Sequence, residues 1–177
     1  MPSEPGAQPW RIEPLGPHHE RAAFSCGADS LDRYLREQAG QDARRSAAAP
    51  FVLVSTTEPN TVAGYYTLSS HAIDLGELPA HVARKLPRYP LVPATLLGRL
   101  AVDRRYKGQG LGERLLMDAL RRALTQSAQI AAAAVTVDAI DDPASRFYRR
   151  FGFIPFPDRP DRLFLPMKTI ATLFRTP

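Results

Sequence analysis

The stretch from Leu96 to Gly112 joins an apolar strand pattern to an amphipathic helix through a turn carrying Gly108, Gly110 and Gly112. Glycines there let main-chain N–H groups converge without Cβ obstruction, and the positive end of the following helix adds its dipole. Such a cradle of backbone donors suits pyrophosphate. Two familiar nucleotide loops are excluded by spacing. A triphosphate loop needs Gly-Lys followed by Ser or Thr, whereas Lys107 precedes the glycines and Glu113 follows them. A dinucleotide fingerprint needs G-x-G-x-x-G, and Gly110 is followed instead by Leu111-Gly112.

The pattern that fits is Arg/Gln-x-x-Gly-x-Gly/Ala, read as Lys107-Gly108-Gln109-Gly110-Leu111-Gly112. It resembles the acetyl-coenzyme A loop of the GNAT (Gcn5-related) N-acetyltransferases, with lysine where arginine or glutamine is usual. A lysine meets phosphate as a point charge and does not fork bidentately. The segment Asp141-Asp142-Pro143-Ala144-Ser145-Arg146-Phe147-Tyr148-Arg149-Arg150-Phe151-Gly152-Phe153 is similar to the second hallmark of that family, with Asp141 where asparagine is usual. The resemblance implies an α/β fold with a central mixed sheet, flanked by helices, in which two neighbouring parallel strands splay apart. Leu100, Ala101 and Val102 then line the pantetheine arm, and Lys107, Gly108, Gln109, Gly110, Leu111, Gly112 and Glu113 hold the phosphates. Acetyl-coenzyme A is the implied cosubstrate, and no metal is implied.

Tyr148 is the candidate catalytic residue. Attack of an amine on an acetyl thioester expels a thiolate, and a phenol beside the sulfur donates a proton to it as general acid. The competing reading is a core ring with a satisfied hydroxyl between Phe147 and Phe151. A backbone N–H from residues 100–102 is the candidate donor to the thioester carbonyl. Asp103, Asp138, Asp141 and His71 are conceivable bases, each equally readable as a cap, turn or surface group. A lysine amine, with a pKa of about 10.4, is almost wholly protonated at neutral pH, whereas an α-amine at about 7.7–8.0 keeps a free-base fraction and can give its proton to water.

These residues need elements to position them. Leu31, Tyr34, Leu35 and Ala39 recur at helical spacing and predict a helix near 29–46, with Asp29 or Ser30 as cap. Residues 51–54 and 62–68 predict a β-hairpin, and residues 70–94 a proline-rich excursion with a turn of helix around 79–86. Leu111, Leu115, Leu116, Ala119, Leu120 and Ala123 form the apolar stripe of a helix to about Ser127. Residues 131–137 predict a strand parallel to 96–102, Asp142-Pro143 opens a short helix closed by Gly152, and 153–154 and 162–170 supply the last strands. A chain of 177 residues with 44% hydrophobic content suits one domain over 11–177, preceded by a loose lead over 1–10. Cys26 stands alone and no N-terminal apolar segment precedes it, so a cytoplasmic chain without a membrane anchor is expected. Cys26 lacks a histidine partner by sequence, and His71 and His81 lack ligand spacing for a metal.

Net charge is +5, and all but Lys85, Lys107 and Lys168 of the 23 basic residues are arginine. A polyanion such as RNA is a suitable partner. Phe24-Ser25-Cys26-Gly27-Ala28-Asp29-Ser30-Leu31-Asp32-Arg33-Tyr34-Leu35, then Gly64-Tyr65-Tyr66-Thr67-Leu68 and Leu97-Gly98-Arg99, resemble the toxin branch of the GNAT enzymes, of the TacT kind. The likeness spans roughly 11–170. It implies a toxin that acetylates the α-amino group of aminoacyl-tRNA and halts translation. It also implies a ribbon-helix-helix antitoxin, contact with DNA only through that complex, and a homodimer. Arg99, Arg104 and Arg105, with a wider set of Arg33, Arg36, Arg84, Arg88, Arg146, Arg149 and Arg150, are the implied tRNA contacts. The alternatives are a GNAT enzyme acting on a small-molecule or protein amine, and a non-catalytic module that responds to coenzyme or associates with DNA.

Overall fold

Seven strands of the computed structural model, which describes residues 9–175, form one mixed sheet in the order β1-β2-β3-β4-β5-β7-β6. They are Trp10–Pro14 (β1), Ala49–Ser55 (β2), Val62–Asp74 (β3), Leu91–Val102 (β4), Ala134–Asp138 (β5), Ile154–Phe156 (β6) and Arg159–Pro166 (β7). β4 and β5 are parallel, because helix Leu111–Gln126 (α4) carries the chain back between them; β1–β2, β5–β7 and β6–β7 are antiparallel. The mixed α/β class expected from sequence is the one observed. By packing the chain falls into two compact units, residues up to 66 with 100–115, and 67–99 with 116 onward.

In the first unit, residues 50–54 of β2 and 62–66 of β3 are buried without interruption, as expected of strands covered on both faces. Their core partners include Phe24, Leu31, Tyr34, Leu35 and Ala101. The Tyr65 hydroxyl donates to the Leu31 carbonyl at 2.7 Å and fixes the helical segment on the strands. The helix predicted over 29–46 is observed as Asp29–Arg33 (α1) and Ala39–Arg44 (α2), joined by a widened π turn at Tyr34–Gln38. Its cap is neither Asp29 nor Ser30. Ala28 holds the cap position without a side-chain bond, and Asp32 reaches back to accept the Cys26 N–H at 2.8 Å. β1 was not expected. Residues 1–8 of the predicted lead lie outside the described residues, and Trp10 already pairs with Ser55.

In the second unit the parallel register runs only from Thr95–Val135 to Leu97–Val137, after which β4 continues through 98–102 while β5 ends at Asp138. β5 pairs instead with β7 along its whole length, Ala134–Pro166 to Asp138–Arg162. Ile73, Leu78, Ala94, Ala134, Phe156 and Phe164 form the core here. The predicted excursion over 70–94 is shorter, because β3 runs on to Asp74 and β4 starts at Leu91; only a 3-10 turn at Leu75–Glu77 and helix Ala80–Ala83 (α3) lie between. Pro93 is tolerated inside β4, where it is exposed and its carbonyl accepts the Ala133 N–H. The predicted last strand over 162–170 ends at Pro166, and Met167–Leu173 (α6) is helical, burying Met167 and Ile170. The short helix Asp142–Arg150 (α5) is as predicted, but Asp141 rather than Asp142 is its cap. Among the described residues no helix is long and apolar enough to cross a membrane.

Thr136 in β5 is fully buried, and its hydroxyl has no hydrogen-bond partner. An orphaned buried polar group costs about 1–3 kcal/mol, so Thr136→Val, which keeps the shape and removes the hydroxyl, is expected to stabilise by about 1 kcal/mol. A urea denaturation midpoint that rises with unchanged slope checks this; an unchanged or lower midpoint contradicts it.

Candidate functional site

The glycine loop is built on a buried carboxylate. Asp103, 1% exposed, caps the 3-10 turn Arg104–Tyr106 that leads into the loop. Its oxygens accept the Ser25 N–H at 3.1 Å, the Arg105 N–H at 2.9 Å, and two bonds from the Arg105 guanidinium at 3.0 and 3.2 Å. Burial alone would raise its pKa, but these donors outweigh it and hold the carboxyl below the ordinary carboxylate value. The Arg104 N–H donates to the Ser25 carbonyl at 2.8 Å, and Lys107 Nζ to the Cys26 carbonyl at 2.8 Å. Residues 25–27 and 103–107 are thereby laced together, and the loop leaves from a fixed base.

Gly108 and Gly110 have φ of +83° and +72°, a region that disfavours a side chain, and a Cβ at either would meet nothing within 4 Å. The main chain is therefore open to an approaching group on that side. None of the N–H groups of 108–112 donates to a described backbone acceptor. Residues 107–110 are exposed, and Leu111 is buried as the first anchor of α4. Gln109, Gly110, Leu111 and Glu113, with Trp10 and Arg114, line a cleft of about 390 Å³. Trp10 stacks edge-on against Tyr106 at 5.5 Å, and its carbonyl accepts from Arg114 Nη2 at 3.2 Å. Open glycines, unclaimed N–H donors and a helix N-terminus fit a diphosphate. Beyond the last pair with β5, Leu100 and Val102 are half-buried and Ala101 is buried in the core of its unit.

Tyr148 lies in the second unit, on α5. Asp141 Oδ1 accepts the Ala144 N–H at 2.8 Å to start this helix, so its carboxylate serves as a cap. Gly152, at φ +94°, ends the helix: its N–H bonds the Arg149 carbonyl at 3.0 Å, and the Phe153 N–H bonds the Tyr148 carbonyl at 3.3 Å. The Tyr148 ring is 6% exposed, with Phe147 at 5.3 Å and Phe153 at 5.5 Å, both edge-on. Its hydroxyl makes no hydrogen bond to a described residue. Among the described residues Thr136 Oγ1 is the one partnerless side-chain oxygen sealed from solvent, so the Tyr148 hydroxyl keeps some contact with it. A buried tyrosine ring ordinarily finds its hydroxyl a partner, and this one has none among the described residues. Burial, then the negative Asp138, push its pKa well above the ordinary phenol value, so the proton is retained.

The conceivable bases sort by partners. Asp103 is a lock, Asp141 a cap, and Asp138 is forked by Arg162 at 2.8 and 3.2 Å. His71 is half-buried, and burial followed by Arg162 lowers its pKa. Cys26 is buried, its thiol donates to the Ala28 carbonyl at 3.6 Å, and burial raises its pKa to about 11. Burial and a raised pKa keep the thiol protonated near neutral pH, which disfavours a nucleophilic role. Glu13, His18 and His19 converge, a cluster that sequence spacing did not reveal. His19 Nδ1 accepts the Gly16 N–H at 2.8 Å, which places the ring proton on Nε2, aimed at Glu13 Oε1 2.7 Å away. That tautomer ties a turn and leaves Nε2 no lone pair for a metal.

Of the arginines singled out by sequence, Arg33, Arg36, Arg104 and Arg105 fall in the first unit and Arg84, Arg88, Arg99, Arg146, Arg149 and Arg150 in the second. Arg105 is engaged by Asp103, Arg36 by the Phe24 carbonyl at 2.9 Å, and Arg84 by the Ala80 carbonyl at 3.3 Å. Arg150 lies over the Phe147 ring at 5.8 Å, and Arg99 is half-buried. Arg33, Arg88, Arg104, Arg146 and Arg149 are exposed.

Residues 17–153 match the model of the acetyltransferase (GNAT) family. The chain is 35% identical to a probable toxin TacT of Sinorhizobium fredii over 176 residues, 95% of this chain and 97% of that protein. It is 38% identical to a tRNA-acetylating toxin of Mycobacterium tuberculosis over 151 residues, 85% and 88% of the two chains. The structure of AtaT complexed with acetyl-methionyl-tRNAfMet superposes with a TM-score of 0.86 at 30% identity, covering 94% of this chain and 99% of that one. AtaT is also solved with its antitoxin AtaR, and that pair with DNA.

Asp103→Asn is expected to cost about 1–3 kcal/mol by weakening a buried, charge-assisted set of bonds. Because the carboxyl is held below its unfolded value, its stabilising contribution is present above about pH 4 and lost as pH falls through the folded value. The variant should lose that part of the acid limb of a stability–pH profile; an unchanged limb contradicts the lock. Native Cys26 should alkylate at pH 8 at least about tenfold more slowly than in the denatured chain, followed by mass spectrometry.

Proposed function

The chain belongs to the GNAT acetyltransferase family, and from that premise we propose that it transfers an acetyl group from acetyl-coenzyme A to the α-amino group of the amino acid on charged tRNA, blocking translation as a toxin. The observation that carries the chemistry is the Tyr148 hydroxyl, without a hydrogen-bond partner among the described residues on a ring packed against Phe147 and Phe153. Support for the substrate comes from the relative that acetylates tRNA and from AtaT held with an acetylated aminoacyl-tRNA. The +5 net charge suits a polyanionic substrate.

When bound, acetyl-coenzyme A supplies an activated acetyl thioester. The main chain of Gly108, Gln109, Gly110, Leu111, Gly112 and Glu113, with Lys107 beside it, is assigned to the pyrophosphate, and Leu100, Ala101 and Val102 to the pantetheine arm. A main-chain N–H of this strand end polarises the carbonyl. Tyr148 holds the proton that the sulfur takes as the C–S bond breaks, and the negative Asp138 keeps that proton on the phenol until then. The attacking nitrogen forms the C–N bond and loses its proton to water, which an α-amine permits near neutral pH. Solvent returns a proton to Tyr148. The exposed arginines Arg33, Arg88, Arg104, Arg146 and Arg149 are assigned to tRNA phosphates, and Arg36, Arg84, Arg99, Arg105 and Arg150 to the surrounding field.

The assembly that goes with this reading is a single cytoplasmic acetyltransferase domain that forms a homodimer. A ribbon-helix-helix antitoxin neutralises it, and DNA is met only through that complex; AtaT with AtaR and DNA gives the precedent for an antitoxin and DNA.

With radiolabelled acetyl-coenzyme A and a pool of charged tRNAs, label is expected on the aminoacyl group. Tyr148→Phe should lower kcat about 10²–10⁴-fold with the KM for acetyl-coenzyme A and the thermal midpoint little changed. Turnover with free amines but not charged tRNA would sink the substrate assignment, and wild-type rates in the variant would sink the acid.

A further inference from the structure

The first unit carries a second basic feature that neither the glycine loop nor the arginines assigned above account for. The segment Leu15–Pro17 and residues Arg21, Gly40 and Arg44 line a cleft of about 300 Å³. Gly40 belongs to α2, just past the π turn. A Cβ placed on it would meet Arg21 Nη1 at 3.1 Å, Arg44 Nη1 at 3.3 Å and Arg21 Nη2 at 3.7 Å. Two guanidinium groups therefore lie against the same point of backbone, and the missing methyl is what lets them. Arg21 Nη1 also donates to the Leu35 carbonyl at 3.2 Å, within the widened turn, which fixes that guanidinium while leaving its other donors available. Arg44 is exposed and has no hydrogen-bond or ion-pair partner among the described residues. Asp42, two residues before Arg44, accepts from the Tyr34 hydroxyl and from Gln38 Nε2, both at 2.8 Å, and Glu20, next to Arg21 in sequence, is exposed.

Side by side and without a carboxylate, two guanidiniums repel, and an anion between them relieves the repulsion. The C-terminal turn of a helix carries partial negative charge that one cation offsets, and the second is left in excess. A phosphodiester carries one negative charge spread over two non-bridging oxygens, and each of these can accept from one of the two guanidiniums. The apolar walls at Leu15 and Pro17 leave room for the ester arms. The geometry points to a phosphate subsite at Arg21, Gly40 and Arg44 that takes a backbone phosphate of the RNA substrate. It rests on the tRNA reading and extends it to residues outside the arginine set given above. Helical rise places it about 20 Å along the α1–α2 segment from Ala28, the end beside Lys107, so it is separate from the coenzyme phosphates.

The test uses the full chain and deacylated tRNA, with binding followed by fluorescence anisotropy over a range of salt. Arg44→Gln and Gly40→Ala are the variants; the second adds only a methyl, favours helix, and crowds Arg21 Nη1 and Arg44 Nη1, which must give way by a few tenths of an ångström. Each is expected to weaken tRNA binding about tenfold and to lower the slope of log K against log salt by about one. The KM for acetyl-coenzyme A and the thermal midpoint should stay at wild-type values. If the wild type binds tRNA and both variants match it in affinity and slope, the subsite falls while the tRNA reading stands. If the wild type binds no tRNA, the substrate reading falls and takes the subsite with it. If Arg44→Gln leaves tRNA binding intact but abolishes binding of a polyglutamate peptide, the cleft serves protein carboxylates and the proposal is overturned.

Discussion

A single buried carboxylate fixes where the glycine loop begins. Asp103 binds the backbone of Ser25 on one side and Arg105 on the other, with the guanidinium of Arg105 closing the charge. Everything the loop offers depends on that anchor. Main-chain N–H groups bind phosphate well only when they are already pointed and already free of internal acceptors, since donors that must first break their own bonds gain little. The sequence meets this with glycines at 108 and 110 that no side chain crowds, and with residues 25–27 and 103–107 laced so that the loop does not collapse on itself.

Tyr148 solves a related problem by burying most of a side chain and sparing one atom. The aromatic contacts with Phe147 and Phe153 and the carbonyl bond to Phe153 hold the ring. Desolvation and the neighbouring Asp138 then raise the pKa. A phenol so placed is a poor base and stays protonated at neutral pH. Asp138 is itself restrained by the Arg162 fork, so its charge is held in a constant position.

The glycine loop, α4 and α5 were legible in the sequence because each is specified locally, by a stripe of apolar residues, a proline in the first turn or a glycine at the close. β1 was not expected because Trp10–Pro14 is only five residues long, lies in a proline-rich lead and becomes a strand through pairing with β2. In the outer halves of β3 and β4, Ser69, Ser70 and Pro93 argue locally against a strand, and long-range pairing overrides them. Residues up to 170 read as a continuation of β7 by their apolar pattern; the last pairing bond, from the Met167 N–H to the Ala133 carbonyl, closes the strand, and the chain turns into a helix that buries Met167 and Ile170. Tyr148 was legible as a candidate acid from its place in the second hallmark, but whether its hydroxyl has a partner is a fact of packing that the sequence does not carry. The paired guanidiniums at Gly40 were invisible, because Arg21 and Arg44 are brought together only by the fold.

The π turn at Tyr34–Gln38 is one residue more than an α-helix needs there. Each residue of a helix advances the azimuth by about 100°, so this extra position sets the rotational phase of all that follows it. Ala39, fully buried, and Gly40, facing Arg21, are on their present sides because of that added step. A chain shortened by one residue within this turn would keep its composition and its helicity yet swing Arg44 a quarter-turn out of alignment with Arg21, unmaking a charge pair without altering either of its members.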